Sequence, residues 1–226
     1  GLSEVRFMCI PAHAREPQPA DGATDVEIDS ALRWRSGREA VSHNVYLGTD
    51  TDALSLAATI DRAAFVPGNL EFGVTYYWQI EEVNEADAVS AWSGSVWSFT
   101  TADYGLIDGF EAYDDDVDAK TTIFDTWLDG WVNETGATVG YFNAPFAERT
   151  IVHSGRQSMP LAYDNSTAPF YSEADRIFDE PQDWTAGGAD SVRLFVRGDA
   201  ANAAQTLYVV LEDRAGKTAI VSHTDP

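Results

Sequence analysis

Sulfur and positive charge are scarce in this sequence of 226 residues: it has one cysteine, Cys9, and 14 Lys and Arg against 37 Asp and Glu, a formal net charge of -23. A single cysteine excludes an internal disulfide framework and any cysteine-based zinc cluster. The charge excludes nucleic acid as a partner, because a field of this sign repels a phosphate backbone, and anionic lipid surfaces are disfavoured for the same reason. The bias belongs to the whole chain rather than to an acidic tail, being -9 before Ala102 and -14 from there on. Long apolar runs are missing too. None reaches the length of a membrane-spanning helix, and no basic segment followed by an apolar one opens the chain, so no membrane insertion is expected.

Motifs that carry chemistry are equally sparse. There is no Gly-x-Ser-x-Gly, no His-Glu-x-x-His, no Walker loop and no Gly-x-Gly-x-x-Gly. The four histidines, His13, His43, His153 and His223, show no ligand spacing. Carboxylates are so abundant that a glycosidase-type pair carries no signal. Asp114-Asp115-Asp116-Val117-Asp118 begins like a calcium loop, but Ala119 stands where the turn needs glycine and Asp125 where a bidentate Glu would close it, so it reads as a solvated acidic turn. No enzyme is expected.

What the chain does have is β-sheet material. Aromatics reach 12% with seven Trp, and Gly, Asp, Asn and Thr punctuate the sequence at the spacing of short strands in sandwiches. Val5, Phe7 and Cys9 alternate in a strand that precedes the first domain, with residues 1–16 read as that strand and a linker. Pro17-Gln18-Pro19-Ala20-Asp21-Gly22 reads as turn-rich. Leu32 and Trp34 then alternate with Arg33 and Arg35, and Val45 and Leu47 share a face in His43 to Gly48. The clearest strand is Thr75 to Glu81, with Tyr76, Trp78 and Ile80 on one face and Gln79 and Glu81 on the other. Trp34, Tyr76 and Trp78 are the expected core.

Leu32-Arg33-Trp34, the Thr75-Tyr76-Tyr77-Trp78 strand and the closing Trp97-Ser98-Phe99-Thr100-Thr101 resemble a fibronectin type III domain over residues 17–102. Residues 103–226 open with Ile107-Asp108-Gly109-Phe110-Glu111-Ala112-Tyr113, continue through His153-Ser154-Gly155-Arg156-Gln157-Ser158-Met159, and hold expected strands at Ser191 to Val196 and Thr206 to Leu211. The Phe-Glu opening strand and the His-Ser-Gly turn resemble galactose-binding-type jelly rolls of carbohydrate-binding modules. Asp125-Thr126-Trp127, Ala144-Pro145-Phe146-Ala147-Glu148 and Pro181-Gln182-Asp183-Trp184-Thr185 further resemble units repeated in large surface proteins of planctomycete-type bacteria. The fold class expected is therefore all-β: two antiparallel β-sandwiches, the second a jelly roll without its last strands.

The resemblance implies that Glu111, with backbone oxygens of the turn Ser154 to Arg156, holds a structural Ca²⁺; a buried salt bridge is the other reading of that carboxylate. It also implies a polysaccharide partner, held by aromatic faces and polar side chains. Trp131, Tyr171 and Tyr141 are the aromatic candidates, and Asn133 and Asn165 the polar ones. His153 reads as a packing residue. Glycine at position 1 reads as a piece of a longer chain, secreted or on the cell surface. Two functions of different class follow. One is a non-catalytic polysaccharide-binding or adhesive segment. The other is a structural subunit of an extracellular filament, self-assembled through the N-terminal strand.

Overall fold

The computed structural model describes residue 4, residues 11–86 and residues 88–223. The strand expected over Val5 to Ile10 lies outside the described residues. Strands dominate and are almost all antiparallel; the helices are single turns, Ile123–Thr126 (α1) and Gly130–Asn133 (α2). Two compact units result, one from Gly1–Gly105 with Trp184–Ser191, the other from Leu106–Asp183 with Val192–Pro226.

The first unit is a two-sheet sandwich. One sheet orders Arg15–Gln18 (β1), Leu32–Arg35 (β3) and Ala64–Phe65 (β6) as β1-β3-β6. The other orders Ala23–Val26 (β2), Ala91–Thr101 (β8), Thr75–Val83 (β7), Ser42–Gly48 (β4) and Ser55–Ile60 (β5) as β2-β8-β7-β4-β5. Period-two alternation explains the faces: Leu32 and Trp34 point inward from β3 while Arg33 and Arg35 face water. Opposite them, Val45 pairs with Ile80 and Trp78 with Trp97, so neighbouring strands present large side chains to one core. Trp78 sits at its centre, 4.8 Å edge-on from Trp97 and 6.2 Å from Trp34 between ring centroids. Trp34 and Trp78 are buried, whereas Tyr76 is half-buried and stacks on Phe99.

The sandwich begins earlier than its turn-like residues suggest. Ala14 is buried in the core and β1 covers Arg15–Gln18, so the end of the segment read as linker, and Pro17 with it, are part of a sheet. Proline is tolerated there because β1 is an edge strand whose outer amides need no partner.

The second unit contains three two-stranded antiparallel ribbons. Ala137–Val139 (β10) pairs with Leu161–Tyr163 (β11), Trp127–Leu128 (β9) with Asp175–Arg176 (β12), and Leu207–Glu212 (β13) with Thr218–His223 (β14). Its core is small: Ile123, Val139 and Ala147, with Phe110, Phe124, Trp127 and Phe146 packed around them. Asp108 ties this core together, its carboxylate accepting from Phe110 N, the Tyr113 hydroxyl (2.5 Å) and Trp127 Nε1 (2.9 Å). Burial, then this carboxylate, pushes the Tyr113 hydroxyl up to about 12.

Two strand expectations fail here. The opening segment Ile107 to Tyr113 is a turn, because Phe110 takes a left-handed φ of 62° under the pull of Asp108 on its amide. Ser191 to Val196 has the alternation of a strand but no ladder, and Leu194, Phe195 and Val196 remain exposed. Alternation without a neighbour to pair with does not make a sheet. His153 packs as expected, its ring stacked on Phe195 at 3.6 Å between centroids.

Candidate functional site

The β10–β11 ribbon organises the surface of the second unit. Beyond Val139 the chain turns at Gly140, whose φ of 81° is one that a side chain would oppose, and Tyr141 and Phe142 follow. The base of this loop is fixed. Tyr141 N donates to Phe146 O (2.8 Å), Phe146 N donates to Asp115 Oδ1 (2.8 Å), and the Phe146 ring packs edge-on against Phe124. Its tip is not fixed by burial: the Phe142 side chain is 88% exposed.

Between this loop, β11 and the segment around Arg197 to Ala203 lies a cleft of about 670 Å³, with Thr138, Tyr141, Phe142 and Tyr163 on one side and Arg197, Asp199 and Asn202 on the other. The Tyr163 hydroxyl donates to Ala203 O at 3.2 Å, which fixes the ring edge and leaves a face free. The Tyr141 hydroxyl donates to Glu148 Oε2, and this raises the phenol above its ordinary value. Glu148 in turn accepts from the hydroxyl and amide of Thr150 and the amide of Ile151, which with Tyr141 hold its carboxyl down at about 2. Tyr141 is thus clamped, while Phe142 and Tyr163 offer aromatic surface beside two charged groups and an amide. The sequence reading places Tyr141 here but not Arg197, Asp199 or Asn202. Their one signal is the turn-like run Gly198-Asp199-Ala200-Ala201-Asn202.

At the other end of the ribbon, two loops meet. Asp129 caps α2 by accepting from Trp131 N, and its second oxygen takes the amide of Val139. Gly136 N donates to Tyr171 O, and Asp164 N to Gly136 O, both at 2.9 Å. Asn133 and Asn165 are committed to this framework. Asn133 Nδ2 donates to Glu173 O and Asp175 Oδ2 while its oxygen accepts from Thr135, and Asn165 Oδ1 accepts from the Ser172 hydroxyl. Trp131 is 84% exposed, and Tyr171 is exposed as well. The five candidates therefore divide, with Trp131, Asn133, Tyr171 and Asn165 at one end of the ribbon and Tyr141 at the other.

Glu111 and the turn Ser154 to Arg156 do come together. Glu111 Oε1 accepts from Arg156 N (2.6 Å) and Gln157 N (3.1 Å), and Oε2 from Arg156 Nε (3.0 Å). Gly155 makes this approach possible, since a Cβ there would lie 2.2 Å from Oε1. The amide of Arg156 is the first cause of a Glu111 carboxyl held below its usual value. Every group that meets the carboxylate is a donor, whereas Ca²⁺ takes roughly six to eight oxygen ligands. The residues as arranged do not fit that ion, and Ser154 gives Glu111 no oxygen in this arrangement. Among the described residues no group of three or more His, Cys, Asp or Glu could hold a metal. Accordingly, Glu111→Gln should lower the melting temperature of the protein equally in calcium and in EDTA. A calcium-dependent rise that vanishes in Glu111→Gln would put the ion back.

No helix of the described residues is long and apolar enough to cross a membrane. No family model matches the chain, and no curated protein matches it. Among solved structures, the chain is similar to a Fn3-like protein from Clostridium thermocellum at 18% identity, covering 43% of this chain and 100% of that one, with a TM-score of 0.34. It is also similar to the sixth fibronectin type III domain of human fibronectin type III domain containing protein 3, at 13% identity, covering 46% of this chain and 98% of that one, with a TM-score of 0.35. Similarity this low adds no weight of its own, and it is the strand order of the first unit that makes it a fibronectin type III-like sandwich.

Proposed function

We propose that the chain is a non-catalytic, polysaccharide-binding segment of a secreted or cell-surface multidomain protein, its first unit a spacer and its second an open jelly-roll-like module. The observation that carries this reading is the cleft beside β11, where Phe142 and Tyr163 supply apolar ring faces for the C–H side of a sugar and Arg197, Asp199 and Asn202 supply donors and acceptors for hydroxyls. A cleft that is open, aromatic and edged by a few polar groups suits a flat polymer better than a small enclosed substrate. The test is affinity electrophoresis in gels containing β-glucan, galactomannan, xylan or polygalacturonate. The protein should be retarded by at least one of them, and Phe142→Ala should weaken that retardation without changing the melting temperature, since its ring is exposed. Migration unaffected by all four would remove the reading.

A second reading rests on a separate observation. The β13–β14 hairpin pairs with no other strand among the described residues, and Ile220 and Val221 of β14 are exposed. An unpaired edge beside apolar side chains is a template for strand addition. The occupant would be Val5 to Ile10 of a second copy, and a head-to-tail contact of this kind propagates into a filament. Deleting residues 1–11 should then reduce the assembly size in light scattering. An unchanged size and melting temperature would rule strand donation out.

A further inference from the structure

The loops at the far end of the β10–β11 ribbon belong to no function so far, yet they display three aromatic side chains. Trp131 is 84% exposed on α2, Phe170 is 66% exposed, and Tyr171 stands next to it. The two loops are joined by the hydrogen bond from Gly136 N to Tyr171 O and by Asn133 Nδ2 on Glu173 O. Phe170 is held at a φ of 67°, a left-handed conformation that a bulky residue adopts against its preference. Burial of its ring does not compensate, so the fold keeps this side chain in water at a cost. Exposed aromatics on a braced framework mark a contact surface.

The surrounding charge narrows the occupant. From Thr121 to Glu148 and from Gln157 to Asp175 there is no Lys or Arg at all, while Asp129, Glu134, Asp164 and Glu173 lie in or beside the two loops. An anionic ligand would meet only like charge at close range, inside the roughly 8 Å over which salt leaves charges unscreened. The cleft at the other end differs, because Arg197 is in it. Both surfaces flank one short ribbon, so a polymer that occupies the cleft brings further sugar residues near the second surface.

Resting on the proposed polysaccharide-binding function, we infer that Trp131, Phe170 and Tyr171 form a second glycan surface, selective for uncharged sugar, so that one unit grips a neutral polysaccharide at two places. Two weak sites on one body convert the second binding step into an intramolecular one, and avidity then exceeds either site alone by ~100-fold or more.

The experiment is titration calorimetry with an oligosaccharide of whichever neutral polymer (β-glucan, galactomannan or xylan) retards the protein, followed by retardation on the polymer itself. The expected stoichiometry is two oligosaccharides per chain, falling to one in Trp131→Ala and to one in Phe142→Ala, with retardation on the polymer weakened ~100-fold by either change. Both rings are exposed, so both variants should keep the parent melting temperature. A single site indifferent to Trp131→Ala would overturn the second surface and leave the cleft standing. A single site lost in Trp131→Ala but kept in Phe142→Ala would overturn the cleft and the two-site grip together. Polygalacturonate bound by Phe142→Ala as tightly as the neutral polymer would overturn the selectivity, and no binding to any polymer would overturn the function itself.

Discussion

Trp78→Ala is expected to destabilise the first unit by about 3–5 kcal/mol, the range for deleting a large aromatic from a packed core. Trp78 has no exposed surface, and its ring is the link between the two sheets, touching Trp97 from its own sheet and Trp34 from the other. Alanine would leave a cavity walled by two indoles, and rings of that size, anchored in separate sheets, cannot collapse into it. For a unit of about 100 residues, where each kcal/mol is worth roughly 4–8 °C, the fall in melting temperature should be at least ~12 °C. Calorimetry with separate transitions for the two units would read it directly. Trp131→Ala is the matched control, since that indole is almost entirely in water. A loss below about 1 kcal/mol in Trp78→Ala would mean that the sandwich core lies elsewhere.

That core was legible because period two is a strong signal when the apolar residues are large. Leu32 and Trp34, then Tyr76, Trp78 and Ile80, declare an inward face in the sequence and occupy it in the fold. The second unit was harder to read for a physical reason. Alternation in Ser191 to Val196 is real, but a ladder needs a partner at the right place, which local sequence does not encode. The Phe110-Glu111 segment misleads in another way, since one aspartate two residues earlier captures the Phe110 amide and turns the chain. At the candidate site, aromatic Tyr141 could be singled out by type, whereas Arg197 and Asn202 reach the cleft only through the path of a long connection. Asn133 and Asn165 looked available for sugar hydroxyls and are instead used to hold loops together.

The alternation of the clearest strand also held a message that was not taken from it. Continued by one step, the inward series Tyr76, Trp78, Ile80 arrives at Glu82, and on β4 the inward series begins at His43 before Val45. A carboxylate at an inward position needs a partner, and the registry puts His43 directly opposite Glu82. In the structure both are buried, His43 Nδ1 is hydrogen-bonded to Glu82 Oε2, and Gly37 N donates to Glu82 Oε1 at 2.8 Å. The pair sits beside the core indoles, with Trp34 edge-on to the imidazole at 5.4 Å. Glu82→Ala removes the acceptor for two buried donors at once and opens a hole, so it should cost about 3 kcal/mol or more, as breaking one side of a buried pair does. Glu82→Gln retains a side-chain oxygen for Gly37 and fills the same volume, and should cost roughly half as much or less. The decisive measurement is the double variant His43→Ala with Glu82→Ala. Coupled partners give a double loss smaller than the sum of the two single losses, by about 0.5–3 kcal/mol in denaturant unfolding. Strictly additive losses would show that the two side chains merely occupy the same core without depending on each other.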